Sequence, residues 1–268
     1  MSSKDAAFTG SVPKIYEKHL VPLIFEDYAA DIVRRLQARA PRRLLELAAG
    51  TGVVTRALAA GLPKTEIVAT DLNPAMLEEA KAVGTKRPVE WKQADATQLP
   101  FPDASFDAIV CQFGVMFFPD RAKAFAEARR VLKPGGSYVF NVWDTLADNE
   151  IPDLITTALA AVFPSNPPRF LARTPYAYSD RAQIAKDVAA GFKGTPQIEV
   201  VTARSRAASA RDAVIGFCQG SPLRGEIEAL KTPDLEAATA AAAAAVEKKF
   251  GKGAVDGKIQ ALVVTISG

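Results

Sequence analysis

Short apolar runs alternate with amphipathic segments through the first half of the chain. Apolar runs that end in turn residues are typical of buried strands, and apolar positions spaced by three and four indicate helices. The pattern predicts strands at 44–47, 66–71, 89–95, 108–112 and 137–143, and helices at 13–40, from Val53, from Pro74 and at 121–132. Regular alternation of strands and helices predicts an α/β fold with a parallel, doubly wound sheet.

The second half of the chain carries longer helical patterns and fewer strands. It predicts helices at 151–163, 180–190, 211–231 and 234–250, and strands at 198–206 and 259–266. The alanine run Ala240–Ala245 is predicted to be helical because alanine is the best helix former. No internal repeat or linker is visible, so residues 1–268 are predicted to form a single domain.

The first predicted strand ends in small residues, Ala48-Ala49-Gly50-Thr51-Gly52, and a helical pattern follows at once. Glycines at such a turn let a ligand approach the backbone, and the first amides of the helix attract polar or anionic groups. This arrangement is typical of a nucleotide-binding turn. A dinucleotide fingerprint needs a glycine or alanine where this chain has Thr55, which disfavours a nicotinamide cofactor. A tight turn without a ligand stays an alternative.

The second predicted strand ends in a carboxylate, Asp71, which lies 19 residues beyond Gly52. An acid at that place accepts hydrogen bonds from both ribose hydroxyls of a bound nucleoside. Asn73 is predicted to cap the next helix, with Pro74 in its first turn, so that Asp71 is held at the edge of the sheet. The alternative interpretation of Asp71 is a solvated turn carboxylate.

Three further features follow one another along this part of the chain. Glu46 precedes the glycine turn, the run Asp71-Leu72-Asn73-Pro74-Ala75-Met76-Leu77 ends the second strand, and Asp95-Ala96 precedes Leu99-Pro100-Phe101-Pro102-Asp103-Ala104-Ser105-Phe106-Asp107. Together these features resemble the motifs of class I S-adenosylmethionine-dependent methyltransferases, in the ubiquinone/menaquinone-biosynthesis-like branch that acts on small molecules. The chain departs from the family pattern at Ala48, where a glycine is usual.

The resemblance implies S-adenosyl-L-methionine as the cofactor and assigns roles to the matching positions. Leu72 and Met76 would cover the adenine, and Asp95 would accept a hydrogen bond from its amino group. The amide of Ala96 would bind a ring nitrogen, and Gln112 would border the methionine part. The cofactor-binding residues implied in this way are Tyr16, Glu46, Ala48, Gly50, Gly52, Asp71, Leu72, Met76, Asp95, Ala96 and Gln112.

The segment Val12–His19 resembles the N-terminal lead-in of small-molecule methyltransferases, which folds over the cofactor. Tyr16 and His19 are therefore predicted at the roof of the site. His19 is the only histidine of the chain and hence the one histidine available as a general base. The alternative interpretation packs Tyr16 on the core and leaves His19 exposed.

The resemblance also implies a Rossmann-like, doubly wound sheet of seven strands with an antiparallel last strand. Within the single domain, residues 1–40 would form an N-terminal helical arm or lid and residues 41–145 the cofactor-binding core. Residues 146–268 would supply acceptor-side helices and the C-terminal strands. The helices at 211–250 would then be an insertion between strands six and seven.

Composition and charge narrow the range of partners. The 33 basic and 30 acidic residues are scattered, so there is no basic cluster for nucleic acid. Met1–Asp5 shows no apolar signal region, and no stretch reaches the roughly 18 apolar residues of a membrane span. Two cysteines, Cys111 and Cys218, exclude a disulfide framework and a cysteine-rich metal site. These observations predict a cytoplasmic protein without a metal, and they leave its oligomeric state open.

The predicted reaction is methyl transfer from S-adenosylmethionine to a small-molecule acceptor by in-line displacement. Its main requirement is a nucleophile held close to the methyl carbon. One alternative is a methyltransferase-like protein that binds S-adenosylmethionine without transferring the methyl group. A nicotinamide-dependent oxidoreductase is a weaker alternative, because Thr55 and the passage from Asp95 to Asp107 argue against it.

The acceptor pocket is predicted in segments without a cofactor motif. These are the arm near Tyr16, the loop 113–118, the proline-rich stretch 163–178 and the helical segment 211–231. Their aromatic side chains predict a largely apolar acceptor. Arg169 and Arg173 are further candidates for pairing with a carboxylate on it, and ordinary surface arginines are the alternative.

Overall fold

The computed structural model describes residues 8–268, so the predicted lack of a signal region at Met1–Asp5 lies outside the described residues. The chain divides into two compact units. The first comprises the chain up to Asp27 together with Trp143–Ala177 and Thr202–Gln260, and the second comprises Tyr28–Val142, Tyr178–Val201 and Ala261–Gly268. The single-domain organisation stays a prediction.

Seven strands form one sheet with the order β3-β2-β1-β4-β5-β7-β6. The strands are β1 (Arg43–Glu46), β2 (Glu66–Asp71), β3 (Glu90–Gln93), β4 (Phe106–Gln112), β5 (Leu132–Trp143), β6 (Gln197–Ala207) and β7 (Val255–Ser267). The pairs formed by β1 with β2, β1 with β4, β2 with β3 and β4 with β5 are all parallel. The chain order reverses between β1 and β4, which in open α/β sheets is the place where ligands bind.

The last strand runs antiparallel to β5. Gly268 exchanges backbone hydrogen bonds with the start of β5, since Gly135 donates to Gly268 and Gly268 donates to Gly136. Beyond the other end of β5, the amide of Asp144 donates to the carbonyl of Gln260, early in β7. The two strands therefore run in opposite directions, and the predicted seven-stranded sheet with an antiparallel last strand is confirmed.

Nine helices of eight residues or more occur among residues 8–268. They are α1 (Glu26–Gln37), α2 (Val53–Gly61), α3 (Pro74–Val83), α4 (Arg121–Val131), α5 (Glu150–Val162), α6 (Arg181–Val188), α7 (Ala210–Gln219), α8 (Leu223–Leu230) and α9 (Leu235–Phe250). The helices α7 to α9 lie between β6 and β7 in the chain, as predicted for the insertion, and α9 contains the alanine run. Within this described part, no helix is long and apolar enough to cross a membrane.

The second unit has an apolar core between the sheet and its first two helices. Buried residues of α1, α2, β1, β2, β4, β5 and β7 meet there, among them Ile32, Leu36, Leu44, Leu58 and Val110. Fully burying a leucine or isoleucine side chain contributes roughly 1.5–3 kcal/mol. This core holds the ends of β1 and β4 in place, which is where the glycine turn begins.

Two boundary details differ from the sequence-based expectation. A glycine at the end of a helical pattern predicts a C-cap, but Gly61 is the last residue of α2, and Leu62 takes the cap position. Glycine is required at this position for packing, because a Cβ atom there would lie 2.4 Å from a methyl group of Val33. The sequence Lys133-Pro134-Gly135-Gly136 is typical of a break after a helix, but these residues lie inside β5, because α4 ends at Val131 and β5 begins directly at Leu132.

Candidate active site

The glycine turn after β1 has the left-handed backbone that only glycine adopts freely. Gly50 has φ +56° and Gly52 has φ +85°. Gly52 is also crowded, because a Cβ atom there would lie 2.9 Å from the ring of Trp91. The turn therefore requires glycine for both its backbone conformation and its packing, and it brings the start of α2 to the edge of the sheet.

Ala48, which replaces a usual glycine of the family pattern, also has a left-handed backbone, with φ +52°. A non-glycine residue in this region is strained by roughly 1–2 kcal/mol. Its methyl group packs closely against Gly114, where an added Cβ atom would lie 2.5 Å away. The departure from the family pattern is therefore accommodated at an energetic cost.

We expect Ala48→Gly to stabilise the protein by about 0.5–1 kcal/mol. Relief of the left-handed strain outweighs the roughly 0.4–1 kcal/mol of extra unfolded-state entropy that glycine brings. Urea unfolding measures the difference. Ala57→Gly, inside helix α2, is the matched control and should cost about 1 kcal/mol. Equal destabilisation by the two substitutions would contradict the strain at Ala48.

Asp71 ends β2 with both carboxylate oxygens fixed by backbone amides. Gly50 donates to Oδ2 and Asn73 donates to Oδ1, each at 2.8 Å. Burial raises the pKa of Asp71, and the amides of Asn73, Gly50 and Leu72 oppose this change. Asn73 caps α3 by accepting from the amide of Ala75 at 2.9 Å. Asp71 is thus a preoriented acceptor beside the glycine turn, which is the arrangement that a ribose needs.

The two residues predicted to cover an adenine differ in exposure. Leu72 is 58% exposed, which is unusual for a large apolar side chain and leaves an apolar surface next to Asp71. Met76 lies one turn into α3 and is 4% exposed, so it is mainly part of the core. Leu72 is therefore the better placed of the two to contact a ligand.

Asp95 follows β3 and forms a small turn with Thr97. The amide and the hydroxyl of Thr97 both donate to Oδ1 of Asp95, at 2.7 and 2.8 Å. These bonds orient the carboxylate, whose residue is exposed, and Ala96 is half-buried beside it. The position after β3 puts Asp95 at the same edge of the sheet as Asp71, because β2 and β3 are parallel neighbours.

Gln112 ends β4 and is paired in register with Asn141 of β5. The amide of the next residue, Phe113, donates to Oδ1 of Asn141 at 3.0 Å, which fixes the orientation of this buried side chain. Phe113 has φ +50°, and its ring packs edge-on against Tyr28 with centroids 5.2 Å apart. The chain thus turns sharply after Gln112, at the edge of the sheet that Glu46 and Asp71 occupy.

Glu46, the last residue of β1, is 1% exposed and is bound by Thr55 of α2. The hydroxyl of Thr55 donates to Oε2 at 2.6 Å. Burial is the largest influence on the pKa of Glu46, and the charge of Asp71 acts in the same direction. Against the opposing effects of Thr55 and Arg56, the pKa is raised to about 8. Thr55 takes the place at which a dinucleotide-binding turn has its third small residue, so this departure has a structural use.

Three polar residues at this edge were given no role in the site from the sequence, namely Thr51, Thr55 and Asn141. Thr51 Oγ1 and Asn141 Nδ2 are buried without a hydrogen-bond partner among the described residues. A buried polar atom without a partner is costly and marks a place for a ligand or an ordered water. A threonine inside the glycine turn was the only sequence signal. Asn141 has no such signal, because it reaches this edge only through the pairing of β5 with β4, which places it beside Gln112.

These groups fit a nucleoside of the predicted kind. Asp71 offers fixed acceptors for two hydroxyls, Asp95 an acceptor for an amino group, and Leu72 an apolar surface for a flat ring. The residues that would hold it, Gly50, Gly52, Asp71, Asp95 and Gln112, all belong to the second unit. The assignment of these residues to a ligand stays a prediction.

Tyr16 and His19 belong to the first unit, in a π-helical turn, Tyr16–Leu20, that packs against α7. The ring of Tyr16 lies 5.3 Å from that of Phe25. Burial and Lys18 lower the pKa of His19, opposed by Asp212, so its imidazole is neutral at pH 7 and able to accept a proton. The predicted roles of Tyr16 and His19 stay predictions.

Two groups predicted on the acceptor side have partners within their own unit. Arg173 forms an ion pair with Glu226 at 2.7 Å, and Glu226 also accepts from the amide of Arg169. The hydroxyl of Tyr178 donates to Asp187 at 2.8 Å, below the guanidinium of Arg121. The Arg173 pairing weakens the expectation that this arginine binds an acceptor carboxylate.

Residues 45–140 match a family model described as a methyltransferase domain. The chain is 44% identical over 104 residues to demethylmenaquinone methyltransferase of Deinococcus radiodurans, covering 38% of this chain and 43% of that protein. It is 43% identical over 107 residues to the ubiquinone/menaquinone biosynthesis C-methyltransferase UbiE of Methylobacterium nodulans, covering 37% and 41%. The aligned part therefore spans less than half the length of these curated relatives.

Two solved structures share the fold. Phosphoethanolamine N-methyltransferase 2 of Haemonchus contortus, in complex with phosphomonomethylethanolamine and S-adenosylhomocysteine, has a TM-score of 0.59 at 17% identity, over 98% of this chain and 60% of that one. The YcgJ protein of Bacillus subtilis has a TM-score of 0.56 at 19% identity, over 90% and 98%. The comparisons confirm the predicted fold and the resemblance to class I S-adenosylmethionine-dependent methyltransferases, and they support S-adenosylmethionine as the cofactor.

Proposed function

We propose that this chain, whose residues 45–140 match a methyltransferase domain, transfers a methyl group from S-adenosylmethionine to a small-molecule acceptor. One observation carries the proposal. The carboxylate of Asp71 is held by the amides of Gly50 and Asn73 at the edge of the sheet, inside the matched region. A carboxylate fixed next to a glycine turn binds the two hydroxyls of a ribose.

The same edge supplies places for the other parts of the cofactor. Asp95 would accept from the adenine amino group, the amide of Ala96 would meet a ring nitrogen, and exposed Leu72 would cover the ring. Gln112 would border the methionine part, with Asn141 beside it in register. The strands β3, β2, β1 and β4 are neighbours in that order in the sheet, so the cofactor would extend along their ends from the adenine to the methionine part.

Bound S-adenosylmethionine would supply a methyl group on a sulfonium: the acceptor nucleophile would bond to the methyl carbon as the carbon–sulfur bond breaks, and S-adenosylhomocysteine would be the leaving group. The protein contributes by holding the two reactants close together, which can supply up to roughly 7–11 kcal/mol in the best intramolecular cases. A base is needed only if the acceptor atom has a high pKa. For that role we propose His19, the only histidine of the chain, whose pKa is lowered chiefly by burial.

The acceptor is proposed to be a largely apolar ring compound. The curated relatives are named for methylation in menaquinone and ubiquinone biosynthesis, which supports an acceptor of quinone type. The first unit also contains a continuous row of aromatic rings, Tyr16–Phe25–Trp143–Tyr176, with neighbouring centroids 5.3–6.1 Å apart. Phe25, Trp143 and Tyr176 are buried and Tyr16 is half-buried, so this row offers an apolar wall, of which Tyr16 is the most accessible ring.

A turnover experiment tests the proposal and separates it from binding without transfer. The protein is incubated with S-adenosylmethionine and a metabolite extract, and mass spectrometry follows gains of one methyl group together with formation of S-adenosylhomocysteine. We expect a methylated product that depends on the protein and whose formation, at cofactor concentrations below saturation, is reduced roughly ten- to a hundredfold in Asp71→Ala. Tight binding without any product from quinone-type or other acceptors would favour the alternative of a binding protein.

Asp95→Asn should weaken S-adenosylmethionine binding by about tenfold and reduce discrimination against its inosine analogue. The asparagine keeps an acceptor for Thr97 but turns a donor towards the donating amino group of adenine. Competition binding measures the ratio of the affinities for S-adenosylmethionine and for its inosine analogue. Asp103→Asn is the control, because Asp103 is exposed and pairs with Arg130. Unchanged discrimination in Asp95→Asn would remove this assignment.

The two cysteines bear on location. Cys111 and Cys218 are both free thiols and both buried. Burial raises the pKa of each thiol to about 12, so neither is reactive. Unbonded cysteines are typical of reducing compartments, and we therefore propose a cytoplasmic location.

A further inference from the structure

Glu46 is a carboxyl group sealed at the end of β1 without a cationic partner. Its residue is 1% exposed, and the hydroxyl of Thr55 donates to it at 2.6 Å. Across residues 8–268, no basic side chain forms an ion pair with it. A buried carboxylate whose donors are neutral is unstable compared with the protonated acid. The position is therefore suited to hold a proton.

The charged and titratable groups around Glu46 come from each element packed on β1. Asp71 of β2 repels a negative charge on Glu46. Arg56 of α2 favours that charge, but its effect on the pKa of Glu46 is smaller than the opposing effect of burial. Cys111 of β4 stays a neutral thiol, because burial raises its pKa to about 12. Asp71 has backbone amides on both oxygens, whereas Glu46 is sealed from water. Of these two neighbouring acids, Asp71 is the better stabilised as an anion.

The strand register places Glu46 below the middle of the proposed cofactor. Glu46 pairs with Ala69 of β2 and with Val110 of β4, so Asp71 and Gln112 each lie two residues further along their strands. If the ribose is held at Asp71 and the methionine part at Gln112, the sulfonium that joins them lies over the end of β1. Asp71 and Gln112 are thus roughly 7 Å of strand beyond the level of Glu46, and a sulfonium held between them would face the end of β1.

We infer that Glu46 carries a proton while the crevice is empty and releases it to solvent when the sulfonium of S-adenosylmethionine arrives. The O–H bond of the carboxyl breaks, its electron pair stays on the oxygen, and the proton passes to the buffer. The positive sulfonium then lies above a negative Glu46. This inference rests on the proposed function and adds to it a proton that leaves as the cofactor binds.

The number of protons released per bound cofactor follows from the pKa of Glu46. With its pKa near 8, about nine-tenths of the molecules hold the proton at pH 7. A positive charge facing the end of β1 favours the ionised form, so we expect roughly 0.5–0.9 proton to be released per S-adenosylmethionine bound. Affinity should therefore rise several-fold for each pH unit between about 6 and 8. S-adenosylhomocysteine lacks the sulfonium charge and should release at most about 0.2 proton.

Calorimetry at pH 7 in phosphate, imidazole and Tris tests the inference, because the heat of binding varies with the protonation enthalpy of the buffer in proportion to the protons exchanged. Wild type should release a proton with S-adenosylmethionine and hardly any with S-adenosylhomocysteine. Glu46→Gln, whose amide oxygen still accepts from Thr55, should bind without release. A matched variant, Glu66→Gln, whose exposed side chain lies at the start of β2, should behave like wild type.

The outcomes separate this inference from the proposed function. Binding of S-adenosylmethionine without proton release, or equal release by Glu46→Gln and wild type, overturns the inference and leaves the proposed function standing. Failure of wild type to bind S-adenosylmethionine at all removes both. If Glu46→Gln does not fold, the pH dependence of wild-type affinity decides: a slope shared by S-adenosylmethionine and S-adenosylhomocysteine contradicts the role of the sulfonium.

Discussion

Replacing Asp71 with alanine is expected to weaken S-adenosylmethionine binding by roughly ten- to a hundredfold. The carboxylate would make charge-assisted hydrogen bonds to two ribose hydroxyls, and we expect water to replace one of them in the variant. The net loss is then about 1.5–3 kcal/mol, and about 1.4 kcal/mol corresponds to a factor of ten. The substitution also releases the amides of Gly50 and Asn73, which now donate to this side chain. Calorimetry on the folded variant measures the change.

A suitable control variant removes two comparable hydrogen bonds between backbone amides and a carboxylate, at a place away from the site. Asp180 caps α6 and accepts from the amides of Ala182 and Gln183, so Asp180→Ala loses stability without touching the cofactor residues. It should keep wild-type affinity. Asp71→Asn retains one oxygen acceptor, so its affinity for S-adenosylmethionine should lie between those of wild type and the alanine variant. Wild-type affinity in a folded Asp71→Ala protein would contradict the ribose role.

Glu46→Gln is expected to make the empty protein more stable, by about 2–4 kcal/mol above pH 8. The folded-state pKa of Glu46 is raised to about 8 from its ordinary 4.5, chiefly by burial. Between these values the folded chain holds a proton that the unfolded chain has lost, so wild-type stability falls as pH rises through this window. Each pKa unit corresponds to about 1.4 kcal/mol, and the unpaired amide of glutamine offsets about 1–2 kcal/mol of the gain.

Urea unfolding at pH 5, 6.5, 8 and 9 tests this expectation. The stability difference between Glu46→Gln and wild type should be small at pH 5, grow to pH 8 and then level off. Glu66→Gln, whose side chain is 80% exposed on β2, should show no such growth. A difference that does not depend on pH, or a variant less stable than wild type at pH 9, would mean that Glu46 is ionised in the folded protein.

The elements around the glycine turn were predictable because local chemistry determines them. The strand Glu66–Asp71, the cap at Asn73 and the left-handed turn at Gly50 and Gly52 each depend on residues within a few positions of one another. Such features are readable from hydrophobic period and turn chemistry. The antiparallel last strand came instead from the family resemblance.

The remaining site features depend on contacts between distant segments. The bond between Thr55 and Glu46 exists only because α2 packs back over β1, and the orientation of Asn141 requires its register beside β4. Gly61 was misread as a cap because its neighbour in space, Val33, belongs to another helix. No local pattern distinguishes a glycine that caps a helix from one that admits a side chain from elsewhere.

The most direct test of the proposed S-adenosylmethionine site is equilibrium binding of labelled S-adenosylmethionine to the wild-type chain, with NADH as competitor. Such a site predicts saturable binding of one molecule per chain, which S-adenosylhomocysteine displaces and NADH does not. Absence of saturable binding, or displacement by NADH at concentrations where S-adenosylhomocysteine has no effect, would contradict it.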